Sequence, residues 1–288
     1  MSDTHDRTTH ETAETPSGKG ASDENFPVGS FLIPRVLRPH VAVFYAFARA
    51  IDDVADNPDL SPEEKIERLD GFDQAVMGLN DDPAFEKAHI VRSSLIYTGV
   101  PIQHCRDLVS AFKQDAVKLR YDDWDDLIDY CDRSAAPVGR YLLDLHGVSK
   151  DLYPASDALC NALQVINHLQ DCQDDYKSMD RVYLPQDWMR AAGIDVTALD
   201  KPFVGRGLRQ VIDLCLHETS ELLLLARQLP QPMSSRRLAM ESAAIIRIAE
   251  RLVAELRMRD PLAERVALTK PQYLLCCAQG ILRLFFGP

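Results

Sequence analysis

The segment that decides the fold is SDALCNALQVINHLQDCQDD, residues 156–175. Its apolar positions recur every three or four residues, which is the spacing of a buried helix face. From Asn25 onward the same spacing dominates, and no stretch alternates with the two-residue period of a half-exposed strand. The sequence therefore predicts an all-α fold. The apolar positions of the quoted segment are Leu159, Leu163 and Ile166.

In the rest of the chain, proline and glycine occur at the positions where helices are expected to begin or end. Residues 1–24 lack aromatic and branched aliphatic side chains and predict a disordered tail. Residues 25–288 contain no evident linker and predict one helical domain. The predicted helices are Pro39–Asp56, Pro62–Leu79, Pro83–Thr98, Ile102–Leu119, Trp124–Leu145, Ser156–Met179, Gly205–Leu229, Ser234–Arg257 and Lys270–Phe286.

Composition narrows the function classes. The chain has 288 residues, of which 46% are hydrophobic and 26% charged, with a formal net charge of -12. This acidity argues against nucleic acid as a partner, because phosphate backbones are met by clustered Lys and Arg. The seven cysteines form no CxxC pair, so we expect reduced thiols rather than disulfides or a zinc site. Without an apolar run long enough to span a bilayer, we expect a soluble, cytoplasmic protein.

The quoted segment ends in a stripe of oxygen donors. Asn167, Asp171 and Asp175 lie four residues apart, so a helix places them on one face. Carboxylates stacked in this way repel one another unless a cation lies between them. The stripe therefore predicts a site for a hard divalent cation, which prefers oxygen ligands.

A second acidic motif, residues 49–56 with the sequence RAIDDVAD, lies in the other half of the chain. Helical spacing puts Asp52 and Asp56 on one face, with Arg49 one turn earlier. Alone, this motif is equally compatible with a solvated acidic helix end. Two such stripes in one chain favour a shared magnesium cluster, whose shell substrate phosphates would complete. Asp53 and Asp174 point off the shared faces, and we expect them to be solvated.

These motifs, in this order and separation, resemble the squalene and phytoene synthase family from residue 25 to about residue 271. The resemblance implies an all-α prenyl-synthase fold around a central cavity, and Mg²⁺-dependent chemistry on isoprenoid diphosphates. The residues that carry it are Phe26, Tyr45, Arg49, Asp52, Asp56, Tyr130, Asn167, Asp171, Asp175 and the segment Arg181-Val182-Tyr183-Leu184-Pro185.

Four shorter segments resemble one branch, the bacterial HpnC-type hydroxysqualene synthases of hopanoid biosynthesis. That branch implies conversion of presqualene diphosphate and water to hydroxysqualene and diphosphate, without a nicotinamide cofactor. The segments are residues 24–28 with 37–40, 112–115, 133–139 and 259–262. One residue departs from the wider family, which commonly carries Arg where this chain has Gln170. The loss of that cation argues against the two-step reaction from farnesyl diphosphate.

The resemblance and the chemistry of the side chains assign roles to individual residues. Guanidinium groups bind phosphate oxygens through two parallel hydrogen bonds, so Arg49 and Arg181 are candidates for contact with the diphosphate. Further candidates for substrate binding are Phe26, Tyr45, Asn167 and Gln170. Candidates for catalysis are Tyr130, Tyr183, Asp52, Asp56 and Asp171. Candidates for holding Mg²⁺ are Asp52, Asp56, Asn167, Asp171 and Asp175.

Two alternatives remain open. The chain could be a squalene, dehydrosqualene or phytoene synthase that couples two prenyl diphosphates, or a non-catalytic helical assembly subunit. The apolar segment Tyr273–Phe286 predicts either a core helix that caps the cavity or a peripheral contact with the inner face of the membrane. Pathway enzymes are further candidate partners.

Overall fold

The computed structural model describes Ala13 and residues 32–286. Apart from Ala13, the predicted tail lies outside these residues, and so does the candidate Phe26. Within the described part, the chain folds into helices with no β-strand, which confirms the all-α prediction. The helices are α1 (Arg38–Asp56), α2 (Pro62–Met77), α3 (Glu86–Thr98), α4 (Gln103–Asp115), α5 (Trp124–Ser134), α6 (Ala136–Leu145), α7 (Tyr153–Gln170), α8 (Cys172–Met179), α9 (Gln186–Ala191), α10 (Arg206–Ala226), α11 (Arg236–Met258) and α12 (Lys270–Phe286).

Helices α1 to α4 form the first of two hydrophobic clusters. The buried face of α1 packs on α3 and α4, because its large apolar residues recur at helical spacing. The helix stops at Asn57, whose extended backbone suits a residue before proline. Phe44 of α1 also stacks on Tyr141 of α6, with ring centroids 3.8 Å apart. This cluster fixes the position of the first acidic motif at the end of α1.

The second cluster surrounds α7, which packs on α6, α10 and α11. Helix α7 buries residues on nearly all sides, as expected for a helix in the centre of a bundle. The second acidic motif begins in its last turn, at Asn167. Each cluster therefore supplies one of the two acidic motifs.

Three predicted helices differ from the structure. Trp124–Leu145 is broken at Ala135, since Pro137 lacks the N–H that a continuous helix would need and its ring crowds the preceding turn. Ser156–Met179 begins earlier, at Tyr153, and is broken at Asp171. Ile102–Leu119 begins at Gln103 and ends early, at Asp115, and the Leu119 carbonyl beyond the helix accepts a hydrogen bond from the Val182 amide at 2.9 Å.

The last helix, α12, packs closely on α11. A Cβ atom at Gly280 would lie 2.3 Å from the Ala243 carbonyl oxygen, so only glycine permits this approach. The opposite side of α12 is also apolar but exposed, and Phe286 keeps 83% of its surface accessible. The other exposed apolar residues of α12 are Leu274, Leu275, Leu282 and Phe285. In the described part of the chain, no helix is both long and apolar enough to cross a membrane.

Candidate active site

A cavity of about 430 Å³ lies between the two hydrophobic clusters. Residues of both acidic motifs line this cavity, together with apolar side chains of α1, α6, α7 and α11. A site of this kind suits a molecule with a charged head and a long hydrocarbon body. The predicted site residues that line it are Tyr45, Arg49, Asp52, Asp56, Tyr130, Asn167, Asp171, Asp175, Arg181 and Tyr183.

Arg49 organises the first motif. Its guanidinium contacts Asp52 at 2.9 Å and Asp53 at 2.8 Å, one helical turn away. The prediction that Asp53 is solvated is therefore wrong, because this carboxylate is buried and paired with Arg49. Asp174 of the second motif is exposed, as expected.

Asp52 sits in an unfavourable electrostatic environment. Burial in the cavity wall is the main cause that raises its pKa, to about 8, and the charge of Asp56 raises it further, against the opposing effect of Arg49. A carboxylate in this position gains from a nearby cation. The site therefore fits a divalent metal ion in both donor chemistry and charge.

The donors of the second motif line the same cavity as Asp52 and Asp56. All are carboxylate or amide oxygens, which are the ligands that Mg²⁺ prefers. Among the residues that the structure describes, no three carboxylate, imidazole or thiol groups converge as a preformed metal site. Such an open arrangement is compatible with Mg²⁺, which commonly takes one or two carboxylates and completes its shell with substrate phosphates and water.

Arg181 links the two halves of the site. Its Nη1 donates to Asp56 Oδ1 at 3.0 Å and to the Tyr183 hydroxyl at 3.3 Å. Its Nη2 donates to the Asp115 carbonyl oxygen at 3.2 Å. Arg181 itself is buried, so its charge is held in place at the acidic end of the cavity.

Asp115 is a cavity residue that the sequence did not single out. Its side chain is buried, and Tyr130 donates a hydrogen bond to Oδ2 at 2.7 Å. Burial raises the pKa of Asp115 to about 7, although the neighbouring Arg181 opposes this shift. Burial likewise raises the pKa of Tyr130, which keeps its proton and remains a donor. The only sequence signal for Asp115 was its place in the branch-like segment 112–115.

His168 is a second cavity residue whose placement the sequence did not predict. Its ring stacks on Tyr183 with centroids 3.5 Å apart, and Tyr121 and Tyr130 complete the aromatic cluster. Burial, followed by the charge of Arg181, lowers the pKa of His168 to about 3. A neutral imidazole therefore forms part of the wall, and its buried Nε2 has no hydrogen-bond partner. The lone histidine carried no motif by which it could have been found.

The structure does not bring Gln170 to the cavity wall. Its side chain is buried, and its amide donates to the Val266 carbonyl. Residue 170 follows Asn167 by three positions on α7, and the side chain leaves the helix towards the segment between α11 and α12. The expectation that Gln170 contacts substrate is not supported by this placement.

The seven cysteines are free in the structure and five of them are buried, while their reduced state in the cell stays a prediction. Burial raises the pKa of Cys105 and Cys215, so these thiols stay protonated and unreactive. Cys160 lines the cavity wall, and the roles described above involve none of the seven thiols.

Comparison with known proteins places this site in a family. The model of the squalene/phytoene synthase family matches residues 20–272. A hydroxysqualene synthase from Zymomonas mobilis is 44% identical over 260 residues, which cover 90% of this chain and 87% of that protein. Another from Rhodopseudomonas palustris is 40% identical over 279 residues, which cover 96% and 95%.

A solved structure agrees with these relatives. The crystal structure of squalene synthase HpnC from Alicyclobacillus acidocaldarius superposes with a TM-score of 0.70 at 30% identity, covering 80% of this chain and 87% of that chain. The fold, the cavity and the sequence similarity lead to one conclusion. The chain belongs to the squalene/phytoene synthase family.

Proposed function

We propose that this enzyme is a hydroxysqualene synthase, which converts presqualene diphosphate and water to hydroxysqualene and diphosphate. The observation that carries the proposal is that both acidic motifs line one cavity whose wall also contains many apolar side chains. The similarity to two hydroxysqualene synthases over most of their length favours this reaction over others in the family.

The reaction begins with heterolysis of the carbon–oxygen bond to diphosphate, which leaves an anion and a carbocation. The candidate ligands of Mg²⁺ are Asp52, Asp56, Asn167, Asp171 and Asp175. When bound there, Mg²⁺ would neutralise the charge of the leaving group and act as a Lewis acid. Arg49 and Arg181 are oriented by their carboxylate partners and would bind diphosphate oxygens directly.

The carbocation requires a wall that stabilises positive charge without reacting. The faces of Tyr130 and Tyr183 attract a cation, and the stacked neutral His168 adds a further uncharged ring. After rearrangement, water attacks the carbocation, a new carbon–oxygen bond forms, and the released proton passes to diphosphate. The apolar part of the cavity delays this attack by excluding bulk water.

The deciding experiment is a product assay. Pure protein with Mg²⁺ is incubated separately with presqualene diphosphate and with farnesyl diphosphate, and the products are identified. We expect hydroxysqualene from the first substrate and no conversion of the second. Conversion of farnesyl diphosphate alone would instead identify a coupling synthase. No conversion of either substrate, by a protein that is folded, would favour the non-catalytic subunit.

The product is a long hydrocarbon alcohol that water dissolves poorly. We therefore also propose that the exposed apolar side of α12, within Tyr273–Phe286, contacts the membrane surface from the cytoplasmic side. Enzymes that supply the diphosphate or consume the alcohol are the expected pathway partners. Flotation of the protein with lipid vesicles tests the membrane contact, and recovery of all protein in the lipid-free fraction would contradict it.

A further inference from the structure

A surface depression of about 320 Å³ lies where α11 and α12 meet near the end of the described chain. We name it the arginine depression, and its walls are Arg247, Gln279, Leu282, Arg283 and Phe286. Two of these side chains are cationic and two are exposed and apolar. The depression lies outside the catalytic cavity, and the reaction proposed above does not use it.

The charge at this surface is locally positive. Arg227, Arg247 and Arg283 contact the same carboxylate, Glu250, at 2.7, 3.0 and 3.3 Å. One carboxylate cannot neutralise three guanidinium groups, and residues 270–288 contain no Asp or Glu. This local excess stands out in a chain with a net charge of -12. The cluster can therefore accept a further anion.

The apolar side chains beside this charge point to the source of that anion. Phe286, Phe285 and Leu282 are more than half exposed and lie in the last turns of the same helix as Arg283. Cations flanked by exposed aromatic and aliphatic residues are typical of helices that lie in the interface of an anionic membrane. A phosphate dissolved in water would use the arginines but gain nothing from the apolar residues.

We propose that the arginine depression binds the phosphate of an anionic phospholipid while Phe285 and Phe286 enter the bilayer interface. This inference rests on the membrane contact proposed above. It adds that the contact prefers anionic phospholipid headgroups. The docking surface also lies close to the cavity, because Ser242 and Ile245 of α11 line the cavity while Arg247 of the same helix lines the depression. The site would therefore hold the enzyme with α11 between the membrane and the cavity.

The test is co-sedimentation of the full chain with vesicles of phosphatidylcholine alone or mixed with phosphatidylglycerol. We expect tighter binding to the mixed vesicles, and weaker binding as salt is added. Arg283→Gln should weaken binding to the mixed vesicles roughly five-fold, and Arg247→Gln with Arg283→Gln further. Arg190→Gln, on the exposed surface of α9, is the matched control and should bind as the wild type does.

The variants also separate the headgroup site from the apolar contact. Phe286→Ser should weaken binding to both vesicle types, whereas the arginine variants should change only the binding to anionic vesicles. Equal wild-type binding to both types would overturn the headgroup site but leave the membrane contact. No binding to either type would overturn both, while the product assay would remain unaffected. A dimer in solution that Phe286→Ser dissociates would assign this face to a second copy of the chain and overturn the proposal.

Discussion

Arg181 Nη1 donates a hydrogen bond to Asp56 Oδ1 at 3.0 Å, although the two residues lie 125 positions apart in the chain. The bond connects the segment after the second acidic motif to the last residue of α1. The guanidinium is almost fully buried, while the carboxylate is partly open to the cavity. This pair holds one wall of the active site against the other before substrate arrives.

Removing Arg181 should therefore cost both stability and turnover. We expect Arg181→Ala to lower the free energy of unfolding by about 3–5 kcal/mol, since Asp56 loses its buried partner. Arg120→Ala, which breaks the more exposed pair with Asp180, should cost about 1 kcal/mol or less. Denaturant unfolding measures both. Arg181→Lys keeps the charge but loses the planar fork, and should reduce kcat about 100-fold. Equal stability losses in the two alanine variants would contradict this account of Arg181.

The acidic motifs can be tested with isosteric changes. Asp52→Asn and Asp171→Asn should each lower Mg²⁺-dependent turnover of presqualene diphosphate at least about 100-fold, because each removes a charged oxygen from the proposed ion site. Asp174→Asn is the matched control, since Asp174 is exposed in the same motif and should stay near wild-type activity. Steady-state kinetics over a range of Mg²⁺ concentrations measures this effect. A variant of Asp52 that keeps full activity would remove the first motif from the mechanism.

The raised pKa of Asp115 predicts that the stability of the metal-free protein depends on pH. Its pKa is raised by burial to about 7 from a reference value of 3.8, so the folded state binds the proton more tightly than the unfolded state. This carboxyl therefore lowers the free energy of unfolding as the pH rises from about 4 to about 7. Asp115→Asn keeps an oxygen acceptor for Tyr130 but cannot ionise.

With EDTA present, the melting temperature of Asp115→Asn should rise relative to that of the wild type between about pH 4 and about pH 7. Thermal unfolding at a series of pH values measures this difference. A constant difference across the series would show that Asp115 does not titrate in this range.

Gln170 should matter for stability more than for catalysis. Gln170→Ala leaves the buried Val266 carbonyl without this donor, which we expect to cost about 1–3 kcal/mol of unfolding free energy. The KM for presqualene diphosphate should change less than about two-fold, because the side chain does not line the cavity. A large rise in KM at unchanged stability would instead restore Gln170 to the substrate site.

The parts of the site that the sequence predicted are those that depend on helical spacing. Asp52, Asp56 and Arg49 share a face of α1 because residues three and four apart on a helix are neighbours, whatever surrounds the helix. The same rule also places Asp53 beside Arg49, four residues earlier, but the burial of Asp53 depends on which neighbours pack against α1. The second motif reached the cavity despite the break at Asp171.

The parts that the sequence missed depend on contacts between distant residues. Asp115 matters because Arg181 and Tyr130 meet it, and neither contact leaves a local pattern. The break at Ala135 has a local cause, Pro137. The prediction missed it because the apolar residues keep their helical spacing across the break. The break at Asp171 has no proline or glycine to announce it, and its backbone angles, φ -106° and ψ 8°, lie in a sparsely populated region that recurs in active sites.

The division of the core into two clusters on either side of the cavity also bears on how the protein unfolds. Each cluster carries one acidic motif, and the Arg181–Asp56 bond joins the end of α1 to the segment that follows the second motif. A partial opening that separates the clusters would admit water to the cavity. Water would then attack the carbocation before it has rearranged. The fidelity of the reaction therefore depends on the cooperativity of the fold, and amide hydrogen exchange in α1 and α7 should slow together when substrate bridges the two halves.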